Sequence, residues 1–288
     1  LEQRIYQTLV DCITKQTPLI QECAMHIAQL DCLQSLATVS QQLNYTRPTL
    51  SDQNTDLQLT QSRHPVLEKQ HPHDIIANDI HLDDKANFML LTGPNMAGKS
   101  TLMKQVALTV ILAQIGSFVP AESAHIGLVD RCFTRIGASD NLSHGQSTFM
   151  VEMTETSTIL HNATAKSLII LDEIGRGTST YDGMSIAAAV IHYLHNHIKA
   201  RTLFATHYHE LTTITKECHH VKNVSMAINE ENGSLIFTYQ LITGPADKSY
   251  GIHVAEMAGL PKQLIDHAQL LLNRYENSPD TTNQLALF

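Results

Sequence analysis

The run Gly93-Pro94-Asn95-Met96-Ala97-Gly98-Lys99-Ser100-Thr101 fits the pattern GxxxxGK[ST]. It stands between a short apolar run at 88–91 and a helical pattern carrying Leu102, Val106 and Val110. A strand, a glycine-bearing turn and a helix in that order constrain the chain strongly. They point to an α/β layer in which successive backbone N–H groups and a helix N-terminus converge on an anion. Gly93 and Gly98 let the backbone turn where a side chain would obstruct it. The pattern implies a nucleoside triphosphate as ligand, with Lys99 reaching the β- and γ-phosphates and the Ser100 hydroxyl on magnesium.

A second apolar run at 168–171 ends in Asp172-Glu173, as a buried strand delivering two carboxylates would. Asp172 is expected to hold the magnesium and Glu173 to polarise an attacking water, a division of labour of the ABC type. A third run at 202–205 ends in Thr206-His207. That histidine either touches the γ-phosphate or the water, or is structural. His207, His209 and Glu210 lack the HExxH spacing of a zinc site. The segment 143–153 is a polar loop entering an amphipathic helix. Its hydroxyls and helix N-terminus suit a phosphate, and Ser147 equally suits an ordinary helix cap.

The rest of the chain supports this reading. Runs at 57–59, 88–91, 132–136, 168–171 and 203–205 alternate with helices starting near Lys99, Thr148, Asp182 and Tyr208, which implies a largely parallel sheet. Runs at 224–228 and 235–241 flank Asn232-Gly233 and read as an antiparallel hairpin. A helical region at 1–50, in which Pro18 kinks or divides the pattern, precedes an ATPase-like domain at 51–250. A helix-turn-helix at 251–276, turning at Gly259-Leu260-Pro261, and a polar tail at 277–288 follow.

Nineteen basic against 28 acidic residues leave a net charge of −9, which disfavours a broad DNA-binding surface on this chain alone. The five cysteines form no CxxC pair, which fits a reducing cytoplasm. No apolar run approaches the roughly 20 residues a membrane span needs. The chain opens on Leu1 inside a helical pattern and reads as a piece of a longer one.

Together GPNMAGKST, STFMVEMTET, LDEIGRGTSTYDG and FATHYHEL resemble the ATPase region of the MutS family of DNA mismatch repair proteins, in order and with compatible spacing. The resemblance covers nearly the whole chain. It implies a magnesium-dependent ATPase that binds ATP and ADP and works as a homodimer, each nucleotide closed by the partner's signature loop. Ser147 would then reach the γ-phosphate in trans, Asn95 would touch nucleotide or metal in cis, and His207 would be the switch histidine. It also implies mismatched DNA as a partner, bound by upstream domains, and the repair protein MutL as another. Bacterial cytoplasm is the implied location.

Departures accompany the likeness. Ala97 stands where glycine is usual, and Gln146 where arginine often lies. Ile75 stands where an aromatic residue often stacks on the base, leaving Tyr239 as the candidate ring contact. The end Gln284-Leu285-Ala286-Leu287-Phe288 resembles the short peptide by which bacterial repair proteins dock on the sliding clamp, or else packs on its own domain. Two other functions fit the same residues: a MutS-like ATPase acting on recombination intermediates, and a nucleotide-dependent dimerisation switch with negligible turnover.

Overall fold

The computed structural model describes residues 1–72, 74–94, 96–137, 147–231, 234–246 and 250–276. Its centre is a six-stranded sheet of order β10-β9-β4-β8-β7-β6. Here β4 is Phe88–Thr92, β6 Cys132–Arg135, β7 Leu168–Asp172, β8 Arg201–Ala205, β9 Val221–Glu231 and β10 Ser234–Thr243. The strands from β9 to β6 are mutually parallel, and β10 closes one edge antiparallel to β9. The Asn232-Gly233 turn of that hairpin lies outside the described residues.

Both faces of the sheet are covered, which is why its inner strands read as unbroken apolar runs. Met89, Leu91, Ile170 and Leu203 face one core, shared with Leu102, Met103, Val106 and Val110 of helix α3 (Lys99–Gln114). Phe88, Leu90, Ile169, Leu171 and Phe204 face the other, against Ile159 of α4 (Thr148–Asn162) and Ala187, Val190 and Ile191 of α5 (Thr180–Tyr193). Each large apolar side chain so buried contributes about 1.5–3 kcal/mol relative to exposure. After β8 the chain makes a 3-10 helix, His209–Lys216, where the sequence pattern suggested a helix near Tyr208.

The expectation of one largely parallel sheet is incomplete. A second, four-stranded sheet of order β1-β5-β2-β3 is also present, with β1 Thr49–Ser51, β2 Leu57–Ser62, β3 Asn78–Leu82 and β5 Ser123–Gly127. β2 pairs antiparallel with both β3 and β5, and only β1 runs parallel to its neighbour. Leu57, Leu59, Ile80, Leu82 and Ile126 of this sheet join the core around α3, so α3 is buried between two sheets. That position explains its lack of a polar face.

Helix α1 (Glu2–Gln42) is continuous through Pro18, so the proline does not divide it. Leu9, Ile13, Leu30 and Leu33 are exposed along it, and only Ser40 near its end is buried. A short helix α2 (Pro65–Gln70) follows β2. The expected helix-turn-helix is α6 (Gly251–Met257) and α7 (Lys262–Glu276), joined through Gly259 at φ +86°. Among the described residues no helix is long and apolar enough to cross a membrane.

Arg201 at the start of β8 pins the two sheets together. It is 1% exposed and donates to the carbonyls of Gly127 at 2.6 Å, Leu128 at 3.0 Å and Lys166 at 2.6 Å. Gly127 ends β5, so one guanidinium reaches from the central sheet to the end of the other. The fixed fork of five N–H donors suits this role, and a single ammonium does not. Arg201→Met removes the donor to one buried and two part-buried carbonyls and lowers the unfolding free energy by about 2–4 kcal/mol. Urea denaturation checks this as a lower midpoint.

Candidate functional site

In the sheet order, β4, β8 and β7 are neighbours, so the loops at their carboxyl ends lie side by side, where open α/β sheets hold ligands. The loop after β4 is the GxxxxGK[ST] turn. Its backbone is left-handed at Gly93 (φ +127°), Met96 (φ +73°) and Gly98 (φ +97°). Gly98 is the N-cap of α3, and a Cβ there would stand 3.1 Å from Cδ1 of Tyr239. The backbone conformation disfavours any side chain at this position, and the tight approach to Tyr239 adds to that.

Lys99 opens α3 and is 4% exposed. Its Nζ donates to the carbonyls of Gly93 at 2.5 Å and Pro94 at 3.0 Å. Burial lowers its pKa, and the carboxylates of Glu173 and Asp172 partly offset that effect. Ser100 Oγ donates to Asp172 Oδ2 at 2.5 Å. Burial raises the Asp172 pKa and the neighbouring Glu173 charge adds to it, while the Ser100 hydrogen bond and Lys99 pull the other way. A hydroxyl and a half-buried carboxylate held against each other are hard oxygen donors. They fit a hard dication such as magnesium.

Glu173 has left-handed backbone (φ +54°), and its N–H donates to the carbonyl of Ala205, the last residue of β8, at 2.9 Å. Its Oε2 accepts from Arg176 Nη1 at 2.6 Å. His207 is at the surface just beyond β8, with its ring 4.0 Å from that of Tyr208. Partial burial lowers its pKa; the Glu173 carboxylate opposes this, and Arg176 and Lys99 reinforce it. The balance favours a neutral ring at neutral pH.

Lys99, Ser100, Asp172, Glu173 and Arg176 share a cavity of about 640 Å³. Pro94, Met96, Gly98, Lys99, Ser100 and Thr101 form one wall, and Asp172 and Glu173 line it as well. Ile75 and Tyr239, the two expected base contacts, both line it too. Tyr239 (φ +56°) sits where the β9–β10 register shifts. Asn78 holds that irregularity: its Nδ2 donates to the Tyr239 carbonyl at 3.0 Å, and its Oδ1 accepts from the Leu241 N–H at 2.6 Å.

Other expected residues stand outside the cavity lining. Gly93 contributes its carbonyl to Lys99, and Ala97 is fully buried in the core. His207 does not line the cavity. Ser147 caps α4, accepting from the Met150 N–H at 3.2 Å, and does not reach the cavity within one chain. Asn95, Gln146 and the peptide 284–288 lie outside the described residues. Among the lining residues that were not anticipated are Arg176, Asn78 and His64. Arg176 had a sequence signal, being a lone cation three positions after the acidic pair. The other two become neighbours only through the second sheet and α2.

Residues 89–276, well over half of the chain, match the family model described as MutS domain V. The chain is 53% identical over 277 residues to the DNA mismatch repair protein MutS of Lactococcus lactis subsp. cremoris, covering 93% of this chain and 33% of that protein. It is 53% identical over 282 residues to the protein of the same name from Bacteroides thetaiotaomicron, covering 96% and 33%. The corresponding protein of Listeria monocytogenes serotype 4a is 50% identical over 278 residues, covering 96% and 32%. The chain thus spans about a third of the length of the curated relatives it matches. The matched region runs from β4 through the phosphate-type loop, Asp172, Glu173 and His207 to the end of α7, and the chain belongs to the MutS domain V family.

Proposed function

We propose that this chain is the ATP-binding, ATP-hydrolysing and dimerising part of a DNA mismatch repair protein. Its nucleotide state would control how upstream domains hold mismatched DNA in the bacterial cytoplasm. The carrying observation is the convergence of Lys99, Ser100, Asp172 and Glu173 on one cavity large enough for a nucleotide. The similarity to proteins named DNA mismatch repair protein MutS supports the biological setting.

Lys99 exchanges its two loop carbonyls for phosphate oxygens, and the N–H groups at the start of α3 share the negative charge. Ser100 and Asp172 are the residues that would hold magnesium, which supplies charge to the phosphate oxygens when bound. Glu173 orients the water that attacks the γ-phosphorus as the bond to the β–γ bridging oxygen breaks. Arg176 holds that carboxylate in place at 2.6 Å. Ile75 and Tyr239 flank the base, and Asn95 contacts nucleotide or metal from its own chain. Ser147 completes the partner's site, and His207 reports which phosphate remains. Further partners in this reading are MutL and, through Gln284, Leu285, Ala286, Leu287 and Phe288, a sliding clamp.

Glu173→Ala should lower kcat for ATP by about 100-fold or more while ATP affinity stays within a few-fold of wild type. Phosphate release and equilibrium nucleotide binding measure the two, and undiminished turnover removes Glu173 from the role. The shared site has its own test. Lys99→Ala and Ser147→Ala chains, each inactive alone, should regain turnover when mixed, because a mixed dimer carries one site with both residues. No recovery in the mixture would contradict a trans role for Ser147.

A further inference from the structure

The loop after β7 carries Glu173 and Arg176, and its next fixed point is the backbone of Gly175. The two peptide groups that flank its Cα are gripped by residues from different elements. Its N–H donates to Glu152 Oε1, on the second turn of α4, at 2.5 Å. Its carbonyl accepts from the Tyr208 hydroxyl, beside His207, at 3.0 Å. Glu152 and Tyr208 are 5% and 4% exposed, so neither bond competes with bulk water.

The surroundings show how tightly this junction is built. A Cβ at Gly183, in the first turn of α5, would stand 2.1 Å from the Gly175 carbonyl oxygen and 2.3 Å from the Tyr208 hydroxyl. A Cβ at Gly177 would stand 2.9 Å from Cβ of Phe149, one residue into α4 from Thr148. Glu152 is in turn anchored: its Oε2 is 3.7 Å from Arg135 Nη2, and the same arginine donates to the carbonyl of Gly137, a cavity-lining residue. The loop therefore has little freedom of its own.

We propose that Glu152 and Tyr208 are positioning residues that clamp the Gly175 backbone. Through it they set the Glu173 carboxylate in register with α4, whose N-terminus carries Ser147, and with the β8 end that carries His207. This inference rests on the hydrolytic role given to Glu173 above. A shift of α4 along its axis is transmitted to the Gly175 N–H, and one at the end of β8 to its carbonyl. Glu173, two residues upstream and tied to Ala205 by its own N–H, moves with both. A carboxylate displaced by a fraction of an ångström loses its alignment to the water while the phosphate-binding loop is untouched.

The test uses Tyr208→Phe, which deletes one hydroxyl, with Glu152→Ala and the conservative Glu152→Gln, which keeps an oxygen for the Gly175 N–H. Tyr208→Phe and Glu152→Ala should each lower kcat roughly ten-fold with KM for ATP changed less than about two-fold, and Glu152→Gln should recover most of the loss. The double variant Tyr208→Phe/Glu152→Ala should be no worse than the poorer single, since both act through the backbone of one residue. If Glu152→Ala fails to fold, Tyr208→Phe and Glu152→Gln carry the same comparison. A folded Tyr208→Phe with wild-type kcat, or kcat and affinity falling together, would overturn the clamp. Amide exchange at Gly175 reads the clamp independently of turnover: slow in wild type and faster in Tyr208→Phe is expected, and equal rates overturn it. If Glu173→Ala leaves turnover intact, the hydrolytic reading fails, and the exchange rates decide the clamp alone.

Discussion

A positive charge buried almost completely at the wall of a cavity is the constraint on which the rest of this structure depends. Lys99 is almost fully buried, and an isolated ammonium there would cost several kcal/mol. Two carbonyls of its own loop accept its hydrogens, and Asp172 and Glu173 supply the opposing charge. The loop can present those carbonyls only because its backbone is left-handed at Gly93, Met96 and Gly98. The charges of the carboxylates act on the ammonium because β7 is separated from β4 only by β8. Local conformation and sheet order thus answer to one electrostatic requirement.

The same arrangement explains the division of the molecule. Loading both faces of the six-stranded sheet with apolar side chains fixes the strands rigidly and leaves chemistry to the loops at their ends. The four-stranded sheet and α2 then roof the far side of α3 and bring His64, Ile75 and Asn78 to the cavity. Asn78 shows how the roof acts on the site: its two hydrogen bonds hold the irregularity of β10 from which Tyr239 approaches Gly98.

What could be read in the sequence follows from locality. β4, β7 and β8 were legible because strands buried on both faces are continuous apolar runs, and the start of α3 was legible because Gly98-Lys99 marks it. β1, β3 and β5 were not. β3, Asn78–Leu82, alternates buried and exposed residues and includes Asn and Asp, and β5, Ser123–Gly127, begins with Ser, Ala and His. Such strands are specified by their partners more than by their own composition. Likewise Lys99, Ser100, Asp172 and Glu173 could be named from motif alone. Arg201 and the Glu152–Gly175–Tyr208 junction could not, since each joins segments 23 to 74 residues apart in sequence.

On the proposed function, the burial of Lys99 serves to meet phosphate charge. The most direct measurement is equilibrium binding of ATP, with and without magnesium, to wild-type protein and to Lys99→Met, a variant close in volume but uncharged. That role predicts a loss of affinity on the order of 100-fold for Lys99→Met, with the fold unchanged by circular dichroism. Equal affinity in the two proteins would contradict it.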